Sequence, residues 1–282
     1  MHAISSRSGI SGEIALLKGD LVRASRRSRK NGVRLFGLLL LVAGSLYAQA
    51  DRASLDEGFD KPLKKTTVDL GPSPFYRASQ HVRNRLTCYY YSTFTVKEYD
   101  QGEKGAEWLS IVPSAQAACT RRHREDEKVY TSPEWSGYFW GVRGTFAFFS
   151  APDGDDGGLP FAVFDVRTGG KLFEDSSLLD YYKKTLHIKN VFHITSLADQ
   201  IPQLAYFRVV RAGCDLKTEQ VDCWNKIRVE FGITQTDLPI CSDYEQAEDT
   251  WESAVVYPVS VLLTDSPQIR AVDGPVFCWP TN

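Results

Sequence analysis

The sequence predicts an all-β, mostly antiparallel fold: a disulfide-stabilised β-sandwich or jelly roll, with a small β-propeller as the alternative. Three observations point there. Short aromatic and β-branched runs recur along the chain between Gly/Pro/Asp clusters, densest over Trp135–Asp175. Several of these runs alternate with period two, as half-buried strands do. Six cysteines follow an export-type leader, and an even count in that setting implies disulfides.

The leader comes first. Arg26, Arg27, Arg29, Lys30 and Arg34 precede the apolar run Leu35–Ala43, and Ala48-Gln49-Ala50 follows. A basic region, an apolar core and an A-x-A site read as a secretory signal peptide over residues 1–50, cleaved at Ala48 and Ala50. The apolar run is shorter than the roughly 20 residues of a spanning helix. Residues 1–32 are long for such a basic region, and read as a mis-assigned extension ahead of a start at Val33. The expected location is periplasmic or extracellular.

Beyond the leader, residues 51–84 read as an extended N-terminal arm and 85–282 as one β-rich domain. Gly71-Pro72-Ser73-Pro74 discourages helix within the arm. Leu86–Tyr99 reads as one strand, with Cys88, Tyr90, Phe94 and Val96 inward and Thr93, Thr95 and Lys97 outward. Gln101–Gly105 turns the chain and Glu107–Val112 returns it. Residues 113–133 read as a polar loop tied down through Cys119. The runs around Tyr138–Trp140 and Phe161–Phe164 are apolar on both faces, as in strands covered on both sides. Leu186–Thr195, Leu204–Val210 and Lys226–Ile233 read as further strands, and 242–253 as a short acidic helix. Val255–Leu263 is a long apolar strand in which Pro258 argues for an edge or a bulge.

Asp165-Val166-Arg167-Thr168-Gly169-Gly170-Lys171-Leu172 is similar to the outer hairpin of a β-propeller blade. That likeness is the basis of the alternative fold. A propeller repeats its blade about every 40–50 residues, and this segment occurs once. A generic tight hairpin accounts for it, since glycine accepts positive φ.

Charge narrows the partners. The whole chain has 33 basic and 35 acidic residues. Setting aside the 8 basic and 2 acidic residues of the leader leaves 25 and 33, a net charge of −8. Nucleic acid and anionic membrane both call for clustered Lys/Arg. The compact basic run Arg121-Arg122-His123-Arg124 is followed at once by Glu125-Asp126-Glu127, a self-neutralising loop. No partner of nucleic-acid type is expected, and no transmembrane helix in the mature chain.

Candidate chemistry is sparse. Cys88, Cys119, Cys214, Cys223, Cys241 and Cys278 are expected to pair in sequence order. Asp153, Asp155 and Asp156 alternate with glycine and could wrap Ca²⁺, which wants six to eight oxygens. The same run reads equally as an acidic turn. No other cofactor is indicated. Asp165, Glu174 and Asp175 are the acids that a glycoside hydrolase would need as a facing pair. His187 and His193 read as exposed strand residues, and no G-x-S-x-G, P-loop or dinucleotide fingerprint occurs. The aromatics exceed what a small core needs, Tyr181 and Tyr182 among them. Tyr89, Tyr91, Trp135, Tyr138 and Trp140 are the candidate ligand-binding set, with Tyr89 and Tyr91 placed on a polar strand face. The leading expectation is therefore a non-enzymatic module that binds a protein or a glycan through an aromatic face. A secreted carbohydrate hydrolase and a structural envelope component are the alternatives.

Overall fold

The structure, a computed structural model, describes residues 58–196, 201–245 and 252–281. The leader with its Ala48/Ala50 cleavage site, the first residues of the arm and residues 246–251 of the acidic 242–253 stretch lie outside the described residues.

Five strands form a first antiparallel sheet in strict chain order: β1 Lys64–Pro72, β2 Arg83–Tyr90, β3 Thr95–Asp100, β4 Trp108–Val112 and β5 Lys128–Tyr130. A second sheet of ten strands takes the rest: β6 Tyr138–Arg143, β7 Phe146–Ser150, β8 Gly158–Asp165, β9 Lys171–Leu178, β10 Phe192–Ser196, β11 Pro202–Arg211, β12 Ile240–Cys241, β13 Ser253–Leu262, β14 Gln268–Ala271 and β15 Phe277–Pro280. Its spatial order is β12-β15-β13-β11-β9-β8-β7-β6, with β10 on β11 and β14 on β13. Two short helices, α1 Tyr182–Thr185 and α2 Gln220–Phe231, interrupt it. The result is a sandwich-like all-β fold without a closed barrel.

The sheets meet through apolar side chains. Val96, Leu109, Ile111 and Tyr130 of the first pack against Val142, Phe149, Ala162 and Phe164 of the second. The opposite face of the second sheet carries the larger core, where Phe148, Phe161, Tyr206, Val255, Tyr257 and Val259 are covered by Trp224 and Ile227 of α2. This two-sided burial explains the doubly apolar run Phe161–Phe164 of β8, whereas Tyr138–Trp140, in the edge strand β6, is only half-buried. Disulfides Cys88–Cys119, Cys214–Cys223 and Cys241–Cys278 pair the cysteines in sequence order.

Several segments depart from the sequence expectation. The region expected to be an unpaired arm contains β1, which is extended but paired along β2 from Lys64↔Tyr90 to Pro72↔Arg83. Leu86–Tyr99 is a hairpin, not one strand. The chain reverses at Tyr91–Phe94, where the Tyr91 amide donates to the Phe94 carbonyl at 2.9 Å. Reversal exchanges odd and even positions, so Cys88 pairs with Lys97 and Tyr89 with Val96. Alternation counted straight through the turn therefore assigns the faces wrongly, and Thr95 and Lys97 are buried.

Lys226–Ile233, expected as a strand, lies mostly within α2. Ile227 is buried while Val229 is 86 % exposed, so the alternation is coincidental. The buried set Cys223, Trp224 and Ile227 has helical spacing. Gly232 ends the helix in the left-handed region at φ 68°. Leu186–Thr195 is likewise divided: His187 adopts φ 54°, and the strand begins only at Phe192. Pro258 sits in a central strand rather than at an edge. On one side it pairs in register with Phe207. On the other it falls in the gap between β14, which starts pairing at Val259, and β15, which stops at Val256. A residue without an N–H is tolerated where the ladder is already broken. The Asp165–Leu172 segment is the expected hairpin, with Gly169 at φ 70° and its amide donating to the Asp165 carbonyl at 2.7 Å.

Candidate functional site

The five aromatic candidates do not share one exposed face. Tyr91 is 7 % exposed and stacks on Phe94 at 4.9 Å between ring centroids, because the β2–β3 turn carries it inward. Tyr89 is half-buried against Phe139 at 4.5 Å, with the Lys65 ammonium 5.0 Å from its ring. Trp135 and Tyr138 pack on the core between the sheets. The Tyr138 hydroxyl also accepts the Gly105 amide at 2.9 Å. Trp140 faces the other way, among Phe59, Phe161 and Phe192.

The acidic run is occupied by protein cations. Asp153 pairs with Lys104. Arg211 reaches both of the others, through Nε to Asp156 at 2.5 Å and Nη2 to Asp155 at 2.9 Å. Among the described residues no group of three or more His, Cys, Asp or Glu could hold a metal ion. The neutralising partners Lys104 and Arg211 lie about 50 residues away in sequence, invisible to a local motif. The hydrolase acids are dispersed in the same manner. Asp165 is held by Arg167 at 2.6 Å, which keeps its carboxyl below the usual range. Glu174 pairs with Lys171 at 2.7 Å. Asp175 binds Arg208 at 2.8 Å and the Tyr206 hydroxyl. Glu107 is raised above its ordinary value by burial and by Glu103 and Asp100, but all three acids lie within the one connection from the end of β3 to the start of β4 rather than facing across a cleft.

What the fold does assemble is a three-ring stack. Tyr182 lies on Trp279 at 4.9 Å with an interplanar angle of 9°. Tyr181 lies against Tyr182 at 4.1 Å, tilted by 30°, and is 66 % exposed. Each ring has a structural cause. Trp279 is fixed by β15, where it pairs with Ala254, and its indole Nε1 donates to the Asp156 carbonyl at 2.9 Å. Tyr182 opens α1, and its amide donates to the Leu179 carbonyl. Gly157, at φ 84°, lies under the stack: a Cβ there would come within 2.5 Å of Trp279 and 3.1 Å of Tyr182. Burial raises the Tyr182 hydroxyl above its ordinary pKa, and the Tyr181 side chain adds to this.

Polar groups border the stack. Asp156, whose carbonyl holds Trp279, gives its carboxylate to Arg211, and Glu252 stands 3.7 Å from the same guanidinium. Tyr181 thus ends the series as an exposed ring, while the carboxylate and guanidinium groups attach to its buried end at Trp279; an exposed ring of this kind suits a ligand with an apolar face. The sequence counts Tyr181 and Tyr182 only within the aromatic excess and does not single out Trp279. The adjacent pair Tyr181-Tyr182 was the available signal; Trp279 joins it across almost 100 residues.

No protein-family model, curated protein or solved structure matches this chain. Fold and site together define a disulfide-bonded, β-rich protein with an exposed aromatic stack. Its disulfides fit a non-cytoplasmic compartment. Among the described residues no helix is long and apolar enough to cross a membrane.

Proposed function

We propose that this chain is an exported, non-enzymatic binding module that takes a glycan on the Tyr181–Tyr182–Trp279 stack. The observation that carries the reading is Tyr181, two-thirds exposed and backed by two further rings. A sugar ring presents an apolar face to such a surface. The separately paired acids support binding rather than hydrolysis, since hydrolysis needs two carboxyls flanking one bond.

A thermal-shift screen of the disulfide-intact protein against cell-wall and plant glycans tests this. Binding to the native state raises the melting temperature by mass action. Tyr181→Ala should weaken a binding glycan about tenfold, the scale of one good aromatic contact at roughly 1.4 kcal/mol. No turnover of the bound glycan is expected. A panel in which no glycan raises the melting temperature, or in which Tyr181→Ala binds as well as the native chain, sinks the reading.

A further inference from the structure

The same sheet face that ends in Arg211 and Trp279 continues for eight residues along β11 to Gln203, about 27 Å at 3.4 Å per residue. Register places two cross-strand rows at that far end. One row runs Thr195, Gln203, Leu262, Gln268 across β10, β11, β13 and β14. The next runs His193, Ala205, Ser260, Arg270. Ile188 and Val191 cover the middle of the face by packing with Phe207 and Val209. Beyond them a groove of 420 Å³ is lined by Gln203, Ser260, Leu262, Gln268 and Arg270 with the Thr264–Ser266 turn, within the usual size range of small-ligand sites.

The chemistry of this groove differs from that of the stack. Its lining offers two amides, several hydroxyls, one exposed leucine and one cation; Asp265, in the turn between Thr264 and Ser266, pairs instead with Arg167 at 3.5 Å. Gln203 Nε2 donates to the Ser260 hydroxyl at 2.7 Å, which fixes both. Among the described residues Arg270 makes no ion pair; its polar contact is to Gln268 at 3.4 Å. In the same row, the His193 Nδ1 is buried with no hydrogen-bond partner. Of the twelve arginines among the described residues, six, Arg83, Arg124, Arg143, Arg167, Arg208 and Arg211, have a carboxylate partner, and Arg270 is among those that do not. An arginine left unmatched among hydroxyl and amide groups suits a ligand that brings both the carboxylate and the hydroxyls, because a guanidinium binds a carboxylate bidentately.

We infer that the β11–β13–β14 groove is a second site, which binds a carboxylated sugar through Arg270, Gln203, Ser260 and Gln268. It does not depend on the reading of the Tyr181 stack, because the two sites lie at opposite ends of the face and differ in charge.

Isothermal titration of the disulfide-intact protein with trigalacturonate and triglucuronate, with maltotriose as the neutral control, tests the inference. At least one acidic trisaccharide should bind at 50 mM salt and weaken as salt rises. Arg270→Gln and Gln268→Ala, both at exposed positions, should each reduce its affinity about tenfold or more with an unchanged melting temperature. Tyr181→Ala should leave it unchanged. The proposal is overturned if neither acidic sugar binds, if maltotriose binds equally well, or if Arg270→Gln binds like the native chain. Loss of acidic-sugar binding in Tyr181→Ala would move that ligand to the stack and overturn the groove as its site.

Discussion

Lys97 has a side chain only 1 % exposed, yet its ammonium is fully answered. It donates to Glu127 at 2.9 Å and to the carbonyls of Thr120 and Arg122 at 3.4 and 3.3 Å. Glu127, with none of its side chain exposed, also accepts from Ser110 at 2.6 Å and from the Arg124 amide at 3.0 Å, and lies 3.1 Å from His123 Nδ1. Removing one member of a buried pair strands the other. Lys97→Met should therefore cost about 3–5 kcal/mol, read by chemical denaturation. The pair also sets an acid limit. Burial pushes the Glu127 carboxyl up, but the bonds from Ser110, Lys97, His123 and Arg124 together pull it below its ordinary value. A depressed native pKa gives stability that is complete above the unfolded value of about 4.3 and lost as pH falls through the native one. Melting temperature measured from pH 6 to 2 should fall less steeply in Glu127→Gln than in the native chain. Equal slopes would show that this carboxylate is not part of the acid response.

Elements are held here by a few backbone positions. Gly157 is the clearest, since it combines positive φ with contact against two rings of the stack. Gly157→Ala should destabilise by about 1–3 kcal/mol, the range for overpacking, and should shift the tryptophan emission as Trp279 moves. Gly232 differs: nothing lies within 4 Å of a Cβ built there. Gly232→Ala should cost only the left-handed conformation, roughly 1 kcal/mol, with the emission unchanged. Legibility in the sequence follows the same division. The strands around Phe161–Phe164 and Val255–Leu262 were readable because their apolar runs are local and their turns carry glycine or proline. The β2–β3 hairpin was not, because Tyr91-Ser92-Thr93-Phe94 contains neither. Helix α2 was misread because β-branched residues at 227, 229 and 233 imitate a strand, while Trp224 and Ile227 follow helical spacing. The candidate site was mostly illegible. Tyr182 and Trp279, and likewise Asp156 and Arg211, meet only through sheet pairing between distant strands.

For the molecule as a whole, the disulfides divide their work between the two sheets. Cys88–Cys119 clips the 113–127 loop over the first, and the other two tie α2 and β12 to the second. Their separations of 31, 9 and 37 residues correspond to about 3–4 kcal/mol for each longer loop and about 2.5 kcal/mol for the short one in the chain-entropy model. Full reduction should lower the melting temperature far more than loss of Cys214–Cys223 alone, a comparison that calorimetry of the reduced protein and the Cys214→Ala/Cys223→Ala variant would make. Near-equal effects would place the stability in the cores instead.

The order of those bridges bears on how the protein is made. Each cysteine is joined to the next one synthesised, and no bridge encloses or crosses another. Pairing of thiols strictly in the order of synthesis would give this native set without any reshuffling.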